Sequence, residues 1–422
     1  MDLFDGPVRR WRARWVLPLD EPPIDGGFVE TRDDTILAVG DGPGPGEGRD
    51  LGDVIVLPAP VNAHTHLDFS WAAGAVPRQS SFVPWVRAVL ALQPPAPAAA
   101  ARAAQEAAGT LAAQGVRLVG DHSRSLGALE ALRAAGIGGS AWVELLGLPE
   151  QRAEALWEHA ESLLAKAGLL HDPGAEPAES ADRIPVIGAA TPHGPHTLSR
   201  ALIDRCADQP AASSIHLAES RDEVEILMSG RGAFRTLHEE RGGWDGSFEI
   251  PECSPVTYLS GRHLLRPDLV AAHVVHLSAE DRELLAAAGV TAVLCPRSNA
   301  WTGAGTADLP ALLDSGIVCA LGTDSLASNE DLQMGAELAA ARARWPSVAP
   351  AILLEMATAA GAWALGWRDP DTAPGRITPG RPAHLALVRI PPGAPAGADP
   401  YRIVCGDWGP VRFEALPEDR WD

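Results

Sequence analysis

Lysine is nearly missing from this chain: Lys166 is the one example in 422 residues, and every other basic residue is arginine. Any site that needs a lysine at a strand end must use Lys166 or do without. Cysteine is sparse as well. Cys206, Cys253, Cys295, Cys319 and Cys405 are scattered with no C-x-x-C pair. That argues against a disulfide framework and for reduced thiols in a cytoplasmic protein. Positive charge is in deficit, with a formal net charge of -21, so neither nucleic acid nor an anionic membrane is expected as a partner. No apolar run approaches the roughly 20 residues of a membrane span. Met1 to Trp15 carries charges without the apolar stretch of a signal peptide.

A chain of 422 residues can bury a large core, as two or three domains or as one barrel with extensions. Residues 1–60 read as short strands (Arg12 to Leu19, Gly27 to Thr31, Thr35 to Val39) around a Gly/Pro-rich loop from Gly40 to Gly48. A strand–helix alternation follows. The strand candidates are Val54–Leu57, Val116–Gly120, Ala141–Leu146, Val186–Ala190, Ser214–Leu217, Leu269–Val275, Val290–Leu294 and Val318–Leu321, with alanine-rich helical stretches between most of them. Eight strands alternating with helices predict an α/β fold of the (β/α)8 TIM barrel type. A doubly wound sheet is the alternative, but no G-x-G-x-x-G follows any strand. The tail turns β-like again at His384–Ile390 and Tyr401–Val404. The expected organisation is a small β-sandwich built from residues 1–57 and 370–422 beside a catalytic barrel of residues 58–369. Two long insertions, Val76 to Pro97 and Met228 to Tyr258, fall where a barrel places its active-site loops, and His171 to Asp182 reads as a surface loop.

The chemically capable residues gather at the C-terminal ends of these strands. Strand one leads to His64-Thr65-His66, strand two to Asp121-His122-Ser123, and strand three carries Glu144. Strand four leads to His193-Gly194-Pro195-His196, and strand five to His216-Leu217-Ala218-Glu219. Strand six carries His273 and His276, strand seven leads to Arg297-Ser298-Asn299, and strand eight to Thr323-Asp324. Residues i and i+2 of a strand point to one side, so His64 and His66 can offer two imidazoles to one ion. In a barrel all eight ends converge on one cavity. Such clustering favours a metal centre over scattered polar residues.

As an ordered set, PAPVNAHTHLD, TPHGPHTLS, IHLAES, AAHVVHLS, LCPRSN and GTDSLASNEDLQM resemble the amidohydrolase superfamily, in particular its mononuclear-metal deaminase branch, from about Val54 to Ile390. The resemblance implies one divalent metal held by His64, His66, His216 and Asp324. It implies Glu219 as a proton shuttle and His273 as a second acid–base group. Three imidazoles and a carboxylate suit zinc, with ferrous iron the alternative. A metal in such a set lowers the pKa of water from ~16 towards ~7, and Asp324 can both ligate and accept a proton. Blander readings stand beside these: Asp324 as a helix N-cap, Glu219 as a surface carboxylate, His276 in place of His273. His122, His196, His238 and His263 are read as ordinary polar residues. Binuclear relatives commonly bridge two metals with a carbamylated lysine on strand four. That strand has no lysine here, and Lys166 sits in a helical stretch, so the carbamate-bridged, dihydroorotase-like readings drop out.

His193 matches a position that contacts the ribose of nucleoside substrates in the family. The LCPRSN segment and the Phe82–Arg87 loop resemble aminodeoxyfutalosine deaminases, whose substrate joins adenine and ribose to a carboxyphenyl ketone. Arg297, Arg87 or Arg124 could pair with that carboxylate and Trp85 could stack on the aryl ring; packing of a lid is the plainer role for Trp85 and Arg87. Glu144 is read as a substrate contact or a support of the barrel end. The leading expectation is thus a deaminase of a small-molecule nucleoside, 6-aminodeoxyfutalosine first, placed in menaquinone synthesis. S-adenosylhomocysteine, methylthioadenosine or guanine is the alternative substrate, and a non-catalytic binding protein the remote one. A homodimer is the accompanying expectation for assembly.

Overall fold

The computed structural model describes residues 7–169, 184–369 and 371–417; the segment His171 to Asp182 lies outside them. Two four-stranded parallel sheets form the body. The first contains β1 (Asn62–Thr65), β2 (Leu118–Ser123), β3 (Gly138–Leu145) and β4 (Val186–Pro192), in that order. The second contains β5 (Ser213–Leu217), β6 (Leu269–His273), β7 (Thr291–Leu294) and β8 (Cys319–Leu321), also in order. Helices separate successive strands, among them Pro97–Ala113, Ala153–Ala167, Arg200–Asp208, Arg221–Ser229 and Ala279–Ala287. Their starts follow capping chemistry: Ser199 accepts from Leu202 N–H, and Ser278 with Asp281 forms a capping box. Such connections keep every strand parallel.

The outer edges of the two sheets meet. Between β4 and β5, His216 N–H donates to His193 O at 2.8 Å. Between β8 and β1, Asp324 N–H donates to His64 O at 2.9 Å. On that seam Asn62 and Thr323 exchange two buried bonds, Asn62 Nδ2 to Thr323 Oγ1 at 2.7 Å and Thr323 N–H to Asn62 Oδ1 at 3.0 Å. Inside lie Leu118, Trp142, Val270, Val293 and Ala320; the helices cover the outer faces.

The run expected as strand one is placed differently. Val54–Pro58 belongs to a separate five-stranded sheet, antiparallel to Leu385–Arg389 and parallel to Trp15–Val16. It is buried along its whole length because its faces enter two cores. Ile55 and Leu57 pack with the helical body, Val54 and Val56 with Val16, Val29, Ile36 and Leu387. A second sheet of four strands, including Val8–Arg12, Gly27–Arg32 and Thr35–Asp41, contributes to that latter cluster. Tyr401–Val404, expected as a strand, is the helix Pro400–Val404. Asp399 caps it and Pro400 opens it, start signals that outweigh the β-favouring Tyr/Ile/Val composition. Among the described residues no helix is long and apolar enough to cross a membrane.

Gly322 sits where the β1–β8 seam is tightest. A Cβ there would lie 2.7 Å from His64 Cβ and 2.8 Å from the His64 backbone nitrogen and oxygen. Gly322→Ala should therefore lower stability by about 1–3 kcal/mol through overpacking, measured as a drop in the urea midpoint at unchanged m-value.

Candidate active site

Strand periodicity delivers most of the site. Counting in twos from the interior residues Leu118, Trp142, Ala189 and Ala320 leads to His122, Glu144, His193 and Asp324. On β5, Ile215 and Leu217 pack outward, which turns His216 inward. Two places break the alternation. The β1–β2 register shifts between Asn62 and Thr65, and His64 and His66 follow on the inward side although Val61 and Ala63 are interior as well. At the end of β6, His273 itself takes a left-handed backbone, φ 72°. Asp324 (φ 61°) and Ala218 (φ 49°) do the same. Non-glycine residues rarely adopt this region, and such strain collects at functional sites.

Four donors face one another. His66 Nε2 stands 3.2 Å from His216 Nε2, and Asp324 Oδ1 stands 3.5 Å from His66 Nε2 and 3.7 Å from His64 Nε2. Ligands of one tetrahedral ion bound at ~2.0–2.2 Å are about 3.3–3.6 Å apart, so this spacing fits a single cation. Both ring nitrogens of fully buried His64 lack a hydrogen-bond partner. Such orphans are costly unless something satisfies them. The donors are also aimed from behind. His216 Nδ1–H donates to His193 O at 2.8 Å, leaving Nε2 its lone pair. Asp324 Oδ2 accepts from Ser298 Oγ at 2.5 Å and Ser328 Oγ at 2.8 Å, so Oδ1 is the free oxygen. Burial works to raise the Asp324 pKa, but His64, His66 and His273 outweigh it and hold the carboxyl well below its ordinary range.

Beside this set, His273 Nδ1 pairs with Asn299 Oδ1 at 2.8 Å, and its buried Nε2 has no partner. Burial brings its pKa down to about 4, so the ring is neutral. Glu219 Oε1 lies 3.6 Å from His273 Nδ1. Burial, then Asp324 and Glu223, push the Glu219 carboxyl well above its usual range, which favours a protonated acid. Glu144 lies 3.4 Å from His122 Nδ1, 3.6 Å from His216 Nδ1 and 3.7 Å from His66 Nδ1.

The other expected substrate contacts are placed less simply. His193 is half-buried near the site, its Nδ1 3.1 Å from Thr197 Oγ1 and its ring 4.8 Å from that of His216. Trp85 donates Nε1–H to Ala327 O at 3.0 Å and packs on Phe82 within the loop helix Phe82–Ala91. Arg87, on the same helix, is exposed and paired with Glu240 of the helix Ala233–Glu240. Arg297 is engaged by Asp331 at 2.7 Å, with Glu330 at 3.5 Å and Glu337 at 3.6 Å; the sequence reading did not foresee this acidic cage. His122 was expected to be an ordinary polar residue. Fully buried, with both ring nitrogens unpartnered, His122 can join His64 and His216 in a donor cluster. The signal for it was parity: it is four residues past interior Leu118.

A profile of the Amidohydrolase family matches residues 55–404. An aminodeoxyfutalosine deaminase of Deinococcus radiodurans is 32% identical over 344 residues, 77% of each chain. A 5-methylthioadenosine/S-adenosylhomocysteine deaminase of Nitratidesulfovibrio vulgaris is 29% identical over 395 residues, 87% of this chain and 80% of that one. A solved Helicobacter pylori aminofutalosine deaminase, in complex with methylthio-coformycin, aligns with TM-score 0.76 at 21% identity, covering 94% of this chain and 95% of that one. An adenosine deaminase from Xanthomonas campestris with bound zinc aligns with TM-score 0.74 at 22% identity, covering 94% and 88%. At such identities the two structures speak to the fold alone.

Asn299 is buried, and its oxygen is the partner of His273 Nδ1. Asn299→Leu keeps the size but strands that donor, and should cost about 1–3 kcal/mol of stability. A urea titration indistinguishable from wild type would show that His273 finds another acceptor.

Proposed function

The chain belongs to the amidohydrolase family, and from that premise we propose that it is a metal-dependent deaminase of an adenosine-like nucleoside. Members of this family are hydrolases of C–N bonds that use a divalent metal. In the proposed architecture the two parallel sheets close as a (β/α)8 barrel over residues 58–369. In the same proposal the described parts of residues 1–57 and 370–422 make up the flanking β-sandwich. The observation that carries the reading is the convergence of four donor atoms, from His64, His66, His216 and Asp324, beside a buried carboxyl, Glu219, and a neutral imidazole, His273.

Three imidazoles and one carboxylate would hold zinc, with ferrous iron the alternative. When bound, the cation supplies Lewis-acid activation of water at neutral pH. The remaining work belongs to side chains. Asp324 Oδ1 is the oxygen free to accept a proton from the water. His273 Nε2, bare because Nδ1–H is given to Asn299, accepts a hydrogen bond and fixes the direction of approach. Glu219, kept protonated by burial, donates to the purine ring nitrogen and recovers a proton from the new hydroxyl as the carbonyl forms, while the proton that Asp324 took from water leaves with the departing amine. The balance is water plus an aminopurine giving the oxopurine and ammonia.

The best specific substrate is 6-aminodeoxyfutalosine, giving futalosine. It is supported by the 32% identity to the Deinococcus radiodurans protein of that name. The match to a 5-methylthioadenosine/S-adenosylhomocysteine deaminase over 87% of this chain supports the second reading. His193 is the proposed sugar contact. Trp85 and Arg87 act through the lid they build. In this reading Glu144 faces the ring nitrogens and steadies the histidines. Arg297 could reach a substrate carboxylate only by giving up its acidic partners.

A panel assay on metal-loaded protein tests this, following the adenine-to-hypoxanthine absorbance change. Selective turnover of aminodeoxyfutalosine over adenosine, methylthioadenosine and S-adenosylhomocysteine is expected; turnover of the others alone would retain the chemistry and replace the substrate. Glu219→Gln should keep the metal and lose at least about 100-fold in kcat, within the 10²–10⁴ that general acid–base catalysis contributes. His216→Ala should lose the metal, read by elemental analysis. A fully loaded His216→Ala protein would move the site elsewhere.

A further inference from the structure

We infer that Glu223 is the residue that positions Glu219, acting through the backbone and never touching substrate. The inference rests on the shuttle role proposed for Glu219. Glu223 is the third residue of the helix Arg221–Ser229, whose N-cap Ser220 accepts from Glu223 N–H at 3.1 Å. In an ordinary capping box the carboxylate at this position turns back to the N-cap amide. Glu223 reaches further. Its Oε1 accepts Ala218 N–H at 2.8 Å and its Oε2 accepts Glu219 N–H at 2.9 Å. Two successive amides pointing one way form an anion-binding concavity, and here a side chain of the same protein, 1% exposed, fills it.

That clamp holds an unfavourable turn. Ala218 is left-handed without being glycine, a conformation that persists only where the surroundings over-determine it. The carbonyl side of the same turn is tied to the segment after β6. Leu217 O accepts Val274 N–H at 3.1 Å, and Ala218 O accepts Val275 N–H at 3.1 Å and His276 N–H at 2.9 Å. Val274 (φ 42°) and His273 are left-handed too. Two strained turns therefore brace each other, one presenting Glu219 and the other His273. Glu223 is the side chain that secures the amide side of the first. None of the four proposed metal ligands is among its hydrogen-bond partners.

The test is a double-mutant cycle on the metal-loaded full chain, measuring kcat, KM and metal content for Glu223→Gln, Glu219→Gln and the pair. Glu223→Gln presents an amide nitrogen to one of the two N–H groups. It should keep the wild-type metal content and a KM within about twofold, while kcat falls about 10–100-fold, the range typical of residues that orient a catalytic group. Glu223→Asp, too short to span both amides, should show the same split and serves if the glutamine variant does not fold. On the Glu219→Gln background either change should cost less than about twofold, because no shuttle is left to position. A loss that multiplies in full on that background overturns the inference, as does wild-type kcat in Glu223→Gln. Full turnover in Glu219→Gln alone would overturn the shuttle reading, and the inference with it.

Discussion

The rest of the structure depends on how the first strand is locked to the last. Asn62 and Thr323 exchange side-chain bonds in a fully buried place, and the amide of Asp324 is donated to the carbonyl of His64. This one seam fixes two of the four proposed ligands relative to each other before any ion is considered. It leaves so little room that only glycine fits at 322. The opposite join, between β4 and β5, works the same way: His193 O receives both the backbone and the ring N–H of His216.

Behind the donors the protein spends its hydrogen bonds selectively. The far nitrogen of His216, the far nitrogen of His273 and the far oxygen of Asp324 each have a partner. The near nitrogen of His273 and both nitrogens of His64 are left bare, and the near nitrogen of His216 meets only that of His66. A core organised for stability alone would satisfy them. Instead, unfavourable desolvation is concentrated in a small volume, where a cation would relieve it.

Much of this was legible in the sequence. The ordered motifs at the strand ends announced His64, His66, His216, Glu219, His273 and Asp324, and the structure brings them together. Seven of the eight expected strands coincide with β2 to β8 to within a few residues. The miss at Val54–Leu57 arose because an all-buried apolar run looks the same whether helices cover both faces or two separate cores do. Tyr401–Val404 was misread by weighing β-branched composition above the Asp-Pro start that precedes it. His122, named at the end of strand two, was read as an ordinary polar residue because motif reading looks for spaced pairs, whereas its place follows from strand parity. The acidic partners of Arg297 and Arg87 come from segments distant in sequence, Glu330 to Glu337 and Glu240. Neither periodicity nor motif could have placed them.

The strand Val54–Pro58 belongs to two hydrophobic cores at once and ends only a few residues before His64. The small five-stranded sheet is thus a footing of the parallel-sheet body, and not an ornament on it. Its central strand sets the height and direction at which the chain enters β1. Swapping in other strands of the same outline would mean rebuilding one face of the parallel-sheet body's own packing. The two parts therefore share one strand's packing, so a substitution at Val54 or Val56 on the side of the small sheets disturbs the strand whose other face, Ile55 and Leu57, supports the helical body.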